Sequence, residues 1–178
     1  SRIVKAQQRV DASLPYTKAL VAAVTAAASN AAGAHPLTAP SGVRRRAAVC
    51  LITADRGLAG GYSTNAIKEA EGVNNYLREE NVVPVAYLVG RKGVSYYRFR
   101  DREIAGSWTG FTDQPTYEDA RAIADALLEA FLKPVEEGGV DEIHLVYTEF
   151  VNMVVQRPVA KRLLPLEVEE KQADATTI

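Results

Sequence analysis

The sequence predicts a three-layer α/β domain with a mostly parallel sheet and an antiparallel edge strand, preceded by one long helix. Three observations carry this. Short apolar runs alternate with amphipathic helical segments across short loops from residue 47 onward, the layout of parallel strands joined by helical crossovers. The last run, "MVVQRPVAKRLLPL", returns directly after its predecessor and contains Pro158, which cannot donate to a central ladder and so marks an edge. Ahead of the alternation, Ile3, Val10, Leu14, Thr17, Val21, Val24 and Ala28 recur at the spacing of a coiled-coil seam.

Residues 1–32 read as this helix, a rod of about 45 Å at 1.5 Å per residue. Pro15 costs about 3 kcal/mol in a helix interior and predicts a bend near Leu14. No second heptad segment occurs to cover the seam, so its partner is expected to be another chain or a further part of this one. Residues 33–46, rich in Gly, Pro and Ser, form a linker. The α/β domain spans 47–167. "AAVCLITA" (47–54) is a strand buried on both faces, and 63–81 a helix with Ala66, Ala70, Val73 and Leu77 on one side. "VVPVAYLVG" (82–90) is a strand, "RKGVSYYRFR" (91–100) a short helix and "EIAGSW" (103–108) a short third strand. Residues 116–133 form an amphipathic helix that turns Ala120, Ile123, Ala124, Leu127, Leu128 and Phe131 to the sheet. Thr116 is its N-cap, with Asp119 three residues on. "DEIHLVYTEF" (141–150) is a strand that pairs with the last run after a tight connection at Val151 and Asn152. Residues 168–178 are a polar tail or loop.

Composition narrows the function. The 178 residues are 47% hydrophobic and 24% charged, with net charge −1, so nothing global favours nucleic acid. Cys50 lies in an apolar run, as a buried structural thiol does, and two separated histidines give no metal spacing. No run of about 18 apolar residues occurs. The first residue is Ser1 and no signal-peptide layout follows it, so both ends are expected to be cuts in a longer chain.

The segment "ITADRGLAGGYSTNAIKEA" has the strand, glycine turn and helix order that cradles phosphate in many nucleotide enzymes. Its details argue otherwise. Tyr62 stands where the Walker pattern needs lysine, and "RGLAGGY" does not fit G-x-G-x-x-G. The structural reading is a tight turn in which Gly57, Gly60 and Gly61 supply positive φ or close backbone contact. Ser63 or Thr64 would cap the helix, and Asn65 would bond the loop. Asp55 and Arg56 then order the turn or meet a partner. His144 reads as a satisfied sheet residue, and the carboxylates of "KPVEEGGVDE" as a solvated loop. No nucleophile–base arrangement is assembled. Scaffold or interface is the better class, with a nucleotide- or phosphate-binding enzyme as the alternative. A response-regulator-like module is third, and the want of a clustered acidic pocket counts against it.

Three blocks in order resemble the gamma subunit of F-type ATP synthase: "ITADRGLAGGYSTNAI", "TEFVNMVVQRPVAKRLLPL" and "SRIVKAQQRVDASLPYTKAL" at the start. The resemblance runs through about residue 167. It implies a Rossmann-like central domain and a rotor shaft without catalytic residues, cofactor or metal. It also implies an N-terminal helix paired with a C-terminal one inside the catalytic head. Partners implied are the alpha and beta subunits of that head, the epsilon subunit and the c-ring, at the cytoplasmic face of a bacterial inner membrane or its organelle equivalent. Candidate partner-facing residues are Asp55, Arg56, Gly57, Leu58, Gly60, Gly61 and Asn65 in the turn. Arg2, Lys5 and Arg9 join them on a basic arm suited to sliding past acidic loops. The sequence shown is expected to stop short of the family's C-terminal helix and of the start of its N-terminal one, and its closing "EVEEKQADATTI" matches no family segment. With Cys50 alone in a strand, a dithiol switch of the chloroplast type is excluded for this sequence.

Overall fold

The computed structural model describes residues 18–30, 43–57, 61–152 and 154–165. Residues 18–30 are helical (α1). The domain then runs β1 (Arg46–Ile52), α2 (Tyr62–Glu79), β2 (Val83–Val89), α3 (Arg91–Phe99), β3 (Gly106–Trp108), α4 (Tyr117–Leu132), a 3-10 turn (Val135–Glu137), β4 (Glu142–Phe150) and β5 (Gln156–Leu164). The sheet order is β3-β2-β1-β4-β5. β1, β2, β3 and β4 pair in parallel, and β5 runs antiparallel to β4 at the edge, where Pro158 sits opposite Thr148.

Each element follows from its residues. β1 is the central strand, so six of its seven residues are buried and both faces must be apolar. Ala48, Cys50 and Ile52 face α1 and α4, together with Ile143, Leu145, Ile123, Leu127 and Leu128. Ala47, Val49 and Leu51 face the other way, against Ala66, Ala70 and Leu77 of α2 and Val94 and Tyr97 of α3. Removing a side chain such as Leu127 from water is worth about 1.5–3 kcal/mol, so α4 is held chiefly by this face. Its start is fixed by a capping box: Asp119 N–H donates to Thr116 Oγ1 at 3.2 Å, and Thr116 N–H donates to Asp119 Oδ2 at 2.8 Å. The β4–β5 turn is closed by Asn152 Oδ1, which accepts from Val154 and Val155 N–H at 2.8 and 2.9 Å.

Two expectations are corrected. Val21, Val24 and Ala28 of the seam are not waiting for another chain: together with Leu20 they are buried in the core beside α4. The helix end is amphipathic because it completes the outer layer of this domain. The seam positions of residues 1–17, and Pro15 with them, lie outside the described residues. Glu142 is not part of a solvated loop. It opens β4, is 3% exposed, and is held by Arg44 and by His144 Nε2 at 3.1 Å. Burial works against its charge, but the bonds from His144 and Arg44 win and hold its pKa at about 2. His144 is the satisfied sheet residue expected, with this carboxylate as its partner.

Candidate functional site

The glycine-rich turn leaves the C-terminal end of β1, where open α/β sheets bind ligands at the point of strand-order reversal. Here the reversal falls between β1 and β4. Thr53 Oγ1 donates to Val89 O at 2.9 Å and accepts from Gly93 N–H at 2.9 Å, tying the turn to the β2–α3 junction. Asp55 is the hub of the turn. Its Oδ1 accepts from Arg91 N–H at 3.0 Å. Its Oδ2 accepts from Gly110 N–H at 2.8 Å and from Thr112 N–H and Oγ1–H, each at 3.0 Å. Its own N–H donates to Thr112 Oγ1 at 2.9 Å. Partial burial would raise the Asp55 pKa, yet the bonds from Gly110, Thr112 and Arg91 outweigh it and hold the carboxyl below its usual range. One carboxylate thus joins the loops that follow β1, β2 and β3.

Arg56 lies outside this hub. It is 75% exposed and its Nε sits 3.1 Å from Asp113 Oδ2, an ion pair on the surface. Gly57 is exposed, and a side chain there would meet only Lys92 Nζ at 3.8 Å. Gly61 is the N-cap of α2 with φ −91°, and an added Cβ would lie 2.7 Å from the Asn65 side-chain amide. So Gly57 and Gly61 are not positive-φ residues, and at Gly61 the crowding group is a side chain. Leu58 and Gly60 lie outside the described residues, as do Arg2, Lys5 and Arg9. A glycine that the fold does require here is Gly90, after β2. Its φ is +94°, and a Cβ would stand 2.2 Å from Thr53 O. Its signal was the "VGRKG" strand-to-helix junction.

The expected hydroxyl caps also resolve differently. Ser63 Oγ accepts from Ala54 N–H at 3.1 Å, so it braces the end of β1 and does not cap α2. Tyr62, the first residue of α2, is 3% exposed, and its carbonyl accepts from Thr148 Oγ1 of β4 at 2.6 Å. The place a ligand would take between β1 and β4 is bordered by a buried tyrosine bonded to β4. The turn can therefore brace three loops and present Arg56 on its outer side. Among the described residues no group of three or more His, Cys, Asp or Glu is placed to hold a metal ion, and no helix is long and apolar enough to cross a membrane.

Comparison with known proteins agrees with this frame. Residues 1–177 match the family model of ATP synthase. The ATP synthase gamma chain of Acidothermus cellulolyticus is 55% identical over 170 residues, covering 96% of this chain and 57% of that relative. That of Salinispora arenicola is 52% identical over 181 residues, covering 96% and 59%. The chain thus spans less than two-thirds of the length of these relatives. Among solved structures, the central stalk and c-ring of the Tetrahymena thermophila mitochondrial ATP synthase contains a chain of the same fold. The TM-score is 0.55 at 18% identity, covering 93% of this chain and 73% of that one.

Proposed function

The chain belongs to the ATP synthase gamma-chain family, and on that premise we propose that it is the rotor shaft of a proton-translocating ATP synthase. In that role it couples turning of a membrane c-ring to ATP synthesis or hydrolysis in a head of alpha and beta subunits, and it carries no catalytic residue itself. It rests against an epsilon subunit and the ring, peripheral to the cytoplasmic face of a bacterial inner membrane or its matrix or stroma equivalent. Residues 1–32 are the N-terminal helix, whose described end packs on the foot, 33–46 its linker, 47–167 the foot and 168–178 a polar tail or loop. Asp55, Gly57, Leu58, Gly60, Gly61 and Asn65 shape the partner-facing turn, Arg56 makes its contact, and Arg2, Lys5 and Arg9 face the head.

The observation that carries this reading is the self-satisfied turn. The N–H groups of Ala54, Arg91, Gly110 and Thr112, of the kind a phosphate site would aim at its ligand, are taken by Ser63 Oγ and the Asp55 carboxylate, and Tyr62 is buried beside β4. A shaft needs such a turn to be stiff; a nucleotide enzyme needs it open. The test pairs two measurements. Purified alpha and beta subunits mixed with the full-length protein should gain ATPase activity and retain it as a complex through gel filtration. Calorimetric titration of the full-length protein alone with ATP or NAD should give no heat of binding. Micromolar binding of either nucleotide, without assembly, would replace the rotor reading with that of a nucleotide-binding α/β enzyme.

A further inference from the structure

Three consecutive arginines stand where the chain enters β1, and each is fastened to the segment that joins α4 to β4. Arg44 Nη2 donates to Glu142 Oε1 at 3.2 Å, and its Nε bonds the other oxygen of that buried carboxylate. Arg45 Nη1 lies 2.8 Å from Glu136 Oε1. Arg46 Nε donates to Gly139 O at 3.1 Å. The backbone takes part as well. Arg45 and Arg46 N–H donate to Asp141 Oδ2 at 2.7 and 3.1 Å, and Asp141 N–H donates to Arg46 O at 2.8 Å. Arg45 O also accepts from Val83 N–H of β2 at 2.9 Å. The segment gripped in this way is itself tightly folded. Gly139 N–H donates to Pro134 O and Val140 N–H to Ala130 O, each at 2.9 Å, and a Cβ on Gly139 would stand 1.9 Å from Lys133 O.

Exposed pairs such as Arg45–Glu136 add little stability. What they add is direction. Hydrogen-bonded ion pairs hold a set distance and angle, whereas apolar packing is non-directional and opposes separation more than sliding. The helix α1 meets the foot by two routes. One is packing: Val24 and Ala28 share a buried cluster with Leu127 and Ala130 of α4 and with Val140. The other is the chain, which enters β1 through residues 43–46. Both routes end at one place, because α4 runs on through residues 133–141 into the groups that Arg44, Arg45 and Arg46 hold. We propose that this clasp is the joint that carries twist between α1 and the sheet. It keeps α4, with α1 packed beside it, from sliding along β1 and β4. Its bonds reach Val83 of β2, Arg46 of β1 and Glu142 of β4, so a turning force is shared by three strands and does not pull on β1 alone. The proposal rests on the rotor reading and names the residues by which the shaft grips its foot.

The test measures torsional stiffness in a complex of alpha and beta subunits with the full-length protein, fixed to glass by its head. A bead is attached to the foot through Lys68→Cys, since Lys68 is exposed and Cys50 is buried. With the complex stalled in a catalytic dwell, the variance of the bead angle is inversely proportional to the stiffness of the shaft and its joint. Glu136→Ala combined with Asp141→Ala should raise that variance by about twofold. Arg45→Glu alone should raise it in part, and Arg45→Glu combined with Glu136→Arg should bring it back. Arg157→Ala breaks a similarly exposed pair with Glu149 on the β4–β5 hairpin and should leave it unchanged. A merely structural role would lower the melting temperature without this pattern. If the Glu136 and Asp141 double variant does not fold, the Arg45 variants decide the matter alone. Wild-type variance in the clasp variants, or an equal rise with Arg157→Ala, overturns the proposal and leaves the rotor reading standing so long as the wild-type bead turns with ATP. A wild-type bead that never turns with ATP removes the rotor reading and the proposal with it.

Discussion

Replacing Asp55 by asparagine separates the bracing role of the turn from its outward role. The carboxylate accepts four hydrogen bonds, from Arg91, Gly110 and twice from Thr112. An asparagine whose oxygen takes the Oδ2 place keeps three of these at neutral strength and turns its NH2 group against the Arg91 N–H. Bonds to a charged acceptor are worth roughly 1.5–3 kcal/mol and neutral ones about 1. Partial exposure of Asp55 lets water compensate some of the loss, which leaves a cost of about 2 kcal/mol. For a chain of this size that lowers the melting temperature by about 4–8 °C at pH 7. Since the folded-state pKa of Asp55 is lowered, its contribution is present above the unfolded carboxyl value and is lost as pH falls through the folded one. Scanning calorimetry from neutral to acid pH should therefore show the wild-type advantage shrinking in the acid range. A drop of less than about 1 °C at pH 7, or a difference that persists unchanged into acid, would refute the hub. Arg56→Ala serves as the contrast: its surface pair with Asp113 is worth under about 1 kcal/mol, so it should spare folding and loosen assembly.

Other consequences are equally direct. Glu142, held at about 2 from an ordinary 4.5, contributes about 3 kcal/mol above pH 4.5 that is lost as pH falls toward 2; urea unfolding of Glu142→Gln should lack that part of the acid slope. Leu127→Ala, at a fully buried site between α4 and the sheet, should cost about 2–5 kcal/mol in urea unfolding; a loss under about 1 would mean α4 does not cover the sheet. Gly90→Ala forces a Cβ onto Thr53 O at φ +94° and should destabilise by about 3 kcal/mol or more. Gly72→Ala meets nothing within 4 Å in the middle of α2 and should instead stabilise by about 0.5–1 kcal/mol in thermal unfolding.

The strands, the α2–α4 helices and the antiparallel edge were legible because apolar runs, helical periodicity and Pro158 each have one local meaning. β1 had to be central, since "AAVCLI" leaves no polar face for water. The site was less legible for a physical reason. The partners of Asp55 lie 36 to 57 residues away on two other loops, and nothing in "DRGLAGG" encodes which N–H groups will arrive there. Attention to that turn also drew weight to Gly57 and Gly61, whereas positive φ occurs at Gly90 and Gly110 on the facing loops. Glu142 was misread because its acidic neighbours are exposed; only the strand boundary distinguishes the buried carboxylate from Glu136 and Glu137. The heptad pattern likewise showed that Val21, Val24 and Ala28 share a face, but a stripe at that spacing serves a sheet as well as a second helix.

That last packing sets an order of events during synthesis. Val24 and Ala28 leave the ribosome early, yet their core partners include Leu127 and Leu145, and β1 gains its β4 neighbour only when Ala47 meets Glu142. At roughly 5–20 residues per second, the nascent arm waits on the order of 6–24 s with its apolar side uncovered. A truncated nascent chain ending near residue 110 should therefore bind hydrophobic-segment chaperones through the arm and be digested by protease, while one that has also released β4 and β5 should resist. Of the described helices, the earliest made is among the last to be sheltered.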